Sequence, residues 1–62
     1  GGEMIRTVRL PLTQLAALSS FHRTQSVLEQ VFEGDSCLAT LRLSTIELNR
    51  LVSREGAVLI ED

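Results

Sequence analysis

The sequence predicts one small α/β or α+β domain with the element order strand, helix, strand, helix, strand. Three observations predict it. Thr7-Val8-Arg9-Leu10 followed by Leu15 and Leu18 recurs as Thr40-Leu41-Arg42-Leu43 followed by Leu48 and Leu51, at the same offsets. Pro11 and Ser44 each stand where a strand pattern gives way to a helical one. A short apolar run, Ala57 to Ile60, follows the second helical stretch. These elements make a three-stranded sheet with helices packed on it. Its edges are left unpaired, so dimerisation is expected to complete it.

Each element has its own local cause. Met4 to Leu10 places Val8 and Leu10 on one face of a strand and Thr7 and Arg9 on the other. Pro11 cannot donate to a ladder but suits the first turn of a helix. From Leu12 to Glu33, the residues Leu15, Leu18, Phe21, Leu28 and Phe32 recur at helical spacing and form one apolar stripe. The polar stretch Ser19 to Ser26, with Ser26 three before Glu29, permits a break into two helices, so an unbroken and a broken helix both stand. Gly34 then reads as a left-handed C-terminal cap.

Cys37, Ala39, Leu41 and Leu43 alternate with Leu38, Thr40 and Arg42, which defines the second strand. Ser44 and Glu47 have capping-box spacing, and Ile46, Leu48, Leu51 and Val52 give the following helix an apolar face. Gly56 closes it. Ala57 to Ile60, an unbroken apolar run, reads as a strand covered on both faces. Where neighbouring strands are parallel, each helix is a right-handed crossover.

Size limits what this core can do. A chain of 62 residues makes one domain, expected over 4–62, and buries only about 60% of its unfolded surface. Gly1-Gly2-Glu3 reads as a cloning scar or flexible terminus, and the ending just after an apolar strand leans toward an excised domain. Disulfides cannot staple the fold because Cys37 is the only cysteine, and His22 is the only histidine, which argues against a metal cage. Self-association is the remaining staple. The single cysteine suggests a reducing, cytoplasmic setting, and no apolar run approaches the length of a membrane span.

Candidate chemistry is sparse. His22 has no second histidine beside it and reads as a surface or helix-end residue, while Cys37 opens an apolar strand and reads as a small core hydrophobe. Gly34 and Gly56 are isolated, so no phosphate-cradling loop is present. The expectation is a protein that is not an enzyme and takes no cofactor and no metal.

Charge is informative only locally. The net charge is −2, with six arginines and no lysine, which weighs against a broad nucleic-acid footprint. Acid gathers at Glu29, Glu33 and Asp35 and at Glu55, Glu61 and Asp62, whereas Arg6, Arg9 and Arg23 leave the first third of the chain basic.

Two segments are similar to known families. Arg6-Thr7-Val8-Arg9-Leu10-Pro11 resembles the strand of the ribbon-helix-helix DNA-binding family. The resemblance implies a dimeric two-stranded ribbon in the major groove, with Thr7 and Arg9 toward bases and Val8 and Leu10 toward the core. The rest departs from that family: the turn between its helices lacks glycine here, and a further strand, helix and strand follow. Ile46 to Val52 with Gly56 to Ile60 resembles the helix-to-strand segment of surface-presentation-of-antigens domains, which implies an intertwined dimer.

The leading functional expectation is a protein–protein interaction or dimerisation module that uses edge strands and a leucine-rich helix face. Leu15, Leu18, Phe21, Leu28 and Phe32 are the interaction residues, and the partner is a second copy or a larger protein. The alternative is a dimeric DNA-binding repressor or antitoxin contacting DNA through Arg6, Thr7 and Arg9.

Overall fold

Strand β1 runs from Glu3 to Pro11, one residue beyond the expected start, and its Val8 and Leu10 are fully buried while Arg9 is exposed. A computed structural model describes residues 2–61; Gly1, from the expected terminal scar, and Asp62, from the acidic pair, lie outside the described residues. Pro11 ends the strand rather than entering the helix. It pairs with Ser36 and sets up the turn with extended backbone (φ −60°, ψ 144°). Leu12 N then donates to Asp35 O at 3.0 Å, extending the contact between the two chain segments.

The long helix expected over Leu12 to Glu33 is not formed. A 3₁₀ segment (Leu12–Leu18), kinked at Gln14, leads into one short helix, α1 (Ser19–Arg23). The chain then turns sharply. Ser26 N donates to Phe21 O at 2.7 Å and Gln25 N to His22 O at 3.1 Å, the paired bonds of a Schellman motif. Gln25 occupies the left-handed position that glycine normally fills (φ +58°). Ser26 therefore caps no helix. It is buried, with its hydroxyl 2.9 Å from that of Thr24.

Val27–Glu33 is strand β2, and Ser36–Ser44 is strand β3, joined to it by the two-residue turn Gly34-Asp35. Gly34 has φ +58°, the left-handed geometry that a two-residue hairpin with glycine first demands. It is a hairpin residue, not a helix cap. Helix α2 (Thr45–Arg54) has the expected capping box. Glu47 N donates to Ser44 Oγ at 3.1 Å, and Ser44 N donates to Glu47 Oε1 at 2.9 Å. At its other end Glu55 N and Ala57 N both donate to Leu51 O, with Gly56 at φ +73° between them. Strand β4 is short (Val58–Ile60), and Val58 is half exposed, so it is an edge strand with one open face rather than one covered on both.

Among the described residues the sheet has four strands, not three, in the order β2-β3-β1-β4, and every neighbouring pair is antiparallel. Consecutive βαβ strands run parallel but are never adjacent: β3 is inserted between β1 and β2, and β1 between β3 and β4. This is the split βαβ, or ferredoxin-like, arrangement of an α+β domain. Its central pair places Thr7 opposite Thr40, hydroxyl to hydroxyl at 2.9 Å. The repeated sequence pattern thus marks equivalent positions in two βαβ halves, arranged head to tail about these threonines.

One face of the sheet carries the core. Val8 and Leu10 lie opposite Ala39 and Cys37, with Leu41 and Leu43 continuing the row. Leu18 and Phe21 from the first helical arm, and Leu48 and Leu51 from α2, close over them. Gln14 Nε2 donates to Glu55 Oε1 at 2.7 Å, tying the kink of the first arm to the end of α2. The other face is uncovered.

Candidate interaction surface

Alternation along β2 determines what its free edge displays. Gln30 and Phe32 lie opposite Ala39 and Cys37 on the core-facing side, and Glu29 and Val31 lie opposite Thr40 and Leu38 on the open side. Val27 pairs with Leu41 but Glu29 with Thr40, so the register slips by one at Leu28. This β-bulge absorbs the break in alternation and leaves Leu28 on the same side as Gln30 and Phe32. The helical arms pack chiefly on β1 and β3. Beyond their cover, Leu28 is 44% and Phe32 59% exposed.

The structure therefore divides the five expected interaction residues. Leu18 and Phe21 are core residues, Leu15 is half-buried against the core, and Leu28 and Phe32 sit on a strand edge. They share no helix stripe. The helical face expected on α2 is also narrower: Leu48 and Leu51 are buried, whereas Ile46 and Val52 are 65% and 46% exposed.

A second surface is the open face of the sheet. Cross-strand pairing aligns Val31, Leu38, Arg9 and Val58 in one row, and Glu29, Thr40, Thr7 and Ile60 in the next. Arg42 lies opposite Ile5 on the same face. Thr7 and Arg9 share this outward side, with Val8 and Leu10 turned to the core, as the ribbon resemblance implies. The ribbon itself is not available in that form. Over Thr7–Arg9, β1 is flanked by β3 on one side and β4 on the other, so this segment cannot pair with a second copy. Arg6 lies opposite Leu41 on the other face and is exposed.

Between α1 and α2 runs an open groove of about 230 Å³, lined by Ser20, Phe21, Glu47, Arg50, Leu51 and Arg54 among others. His22 is exposed at the end of α1, and Cys37 is fully buried in β3. Among the described residues, no three His, Cys, Asp or Glu side chains are grouped to hold a metal, and no helix is long and apolar enough to cross a membrane.

Leu28 and Phe32 have helical spacing, which conceals the β2 edge in the sequence. The signal that finds it is Gly34-Asp35, a two-residue hairpin turn between apolar runs. No protein-family model, curated protein or solved structure matches this chain.

Proposed function

We propose that this domain is a non-enzymatic interaction module that takes up an extended segment of a partner along the free edge of β2. The observation that carries the reading is the edge itself: a seven-residue strand whose outer side has no neighbour among the described residues, with two large apolar side chains that the domain's own helices leave open. Strand addition draws affinity from main-chain hydrogen bonds and selectivity from alternate side chains. Leu28 and Phe32 supply the apolar contact. Glu29 and Glu33, both exposed, supply the charge that discriminates among incoming strands. Leu15, Leu18 and Phe21 act indirectly, by holding the sheet in shape.

A display experiment tests this before any partner is identified. Linear peptides selected from a random library against the domain are expected to be extended, with alternating apolar positions. Their binding should fall at least about tenfold on Phe32→Asp, while the thermal unfolding of that variant stays close to the parent because the side chain is exposed. Selected peptides that bind Phe32→Asp as tightly as the parent would place the docking surface elsewhere.

A further inference from the structure

We infer that the strand taken up by β2 is the β2 of a second copy, paired antiparallel about a two-fold axis through Gln30. The inference rests on the strand-addition reading and specifies its partner. Three features of the edge support it, and they come from different physical terms.

The first is backbone polarity. In a two-residue hairpin the closing pair, here Glu33 and Ser36, exchanges hydrogen bonds across the turn. Alternation then turns the N–H and C=O groups of Val31 toward β3 and those of Phe32 and Gln30 toward the open edge. A pairing centred on Gln30 sets these outward groups against their counterparts in the second copy. The second is apolar matching. About Gln30, Leu28 of each copy falls opposite Phe32 of the other, on the same face, so two aromatic–aliphatic cross-strand pairs form at the two half-exposed positions.

The third is charge, and it selects the register. Because directly opposed residues share a face, the pairing can shift only so that the axis moves along the strand in single steps. An axis at Glu29 opposes Glu29 to Glu29, and an axis at Val31 opposes Glu29 to Glu33 twice. An axis at Phe32 brings Glu29 against Asp35, and one at Leu28 falls on the bulge. With the axis at Gln30, Glu29 faces Val31 and Glu33 reaches the far side of the bulge, beside Val27, so no carboxylate opposes another. Acidic residues on an edge ordinarily block pairing. Here they block the neighbouring registers and leave one.

The product is a continuous eight-stranded antiparallel sheet with all helices on one side. Four half-exposed side chains and one strand pair cover less than the roughly 1,200 Å² of a stable interface, so the dimer is a weak one. Its mass should rise from 6.8 kDa toward twice that value as concentration increases from about 10 µM to 1 mM by light scattering with refractive-index detection. The register is read with single cysteines. Gln30→Cys should cross-link to a covalent dimer under mild oxidation at the higher concentration, whereas Glu29→Cys and Val31→Cys should not, and Cys37, fully buried, should stay inert in all three.

Efficient cross-linking of Glu29→Cys or Val31→Cys in place of Gln30→Cys would overturn the register. A mass fixed at that of one chain up to 1 mM would overturn self-pairing altogether. If display peptides nevertheless bind and are lost on Phe32→Asp, the strand-addition reading stands and only the second copy is rejected. If those peptides too ignore Phe32, both fail.

Discussion

Among the described residues, Gln25 alone adopts a positive φ without being glycine. A non-glycine residue at φ +58° carries a steric cost of about 1 kcal/mol, accepted here because the Schellman bonds at Phe21 and His22 turn the chain from α1 into β2. Gln25→Gly removes the Cβ clash at a modest cost in unfolded-state entropy. It should raise stability by about 0.5–1 kcal/mol, read as a higher urea midpoint at constant slope. An unchanged or lower midpoint would show that the turn is held without strain. The buried residues behave differently: Leu10 and Leu41, both fully buried, have no exposed surface to lose and depend wholly on packing.

At the scale of elements, α2 is the most locally specified segment of the chain. Its capping box satisfies one backbone donor at each of Ser44 and Glu47, and Ser44→Ala should cost about 1 kcal/mol in chemical denaturation. Its two faces should separate cleanly. Leu51→Ala is expected to cost about 2–5 kcal/mol, while Ile46→Ala, at a position 65% exposed, should fall within about 0.5 kcal/mol of the parent. A large loss at Ile46 would mean that this residue is covered by something other than the domain's own core. The hairpin β2-β3 is the complementary case, since its turn is locally encoded by Gly34 but its strand identity depends on β3 as a partner.

For the whole molecule, the governing fact is a core one layer deep. The helices cover only one face of the sheet and pack chiefly on its two central strands, so Phe32 remains open in the isolated chain. Phe32→Ala should therefore have a small effect, within about 1 kcal/mol, in dilute solution. At concentrations where the proposed dimer forms, the parent gains stability by mass action and the variant does not, so the gap between their melting temperatures should widen with concentration. A gap independent of concentration would assign Phe32 to the monomer alone. The ferredoxin-like arrangement itself does not specify a function, because such folds host many unrelated sites.

Features encoded over a few neighbouring residues can be read directly from the chain. The alternation in β1 and β3, the Ser44–Glu47 capping box, the close of α2 at Gly56 and the core positions Val8, Leu10, Leu41 and Leu43 were all legible, because each depends on local periodicity or a single cap. The split of the first helical arm was half legible, in the polar stretch Ser19 to Ser26. The remainder depends on contacts between segments far apart in the chain. Leu28 and Phe32 fit a helix as well as a strand, and pairing with β3, with a bulge at Leu28, settled the choice in favour of the sheet. The order β2-β3-β1-β4 likewise depends on contacts between residues distant in sequence. That order puts β2 at one edge of the sheet, and so turns two residues of an apparent helix stripe into half-exposed side chains on a strand edge.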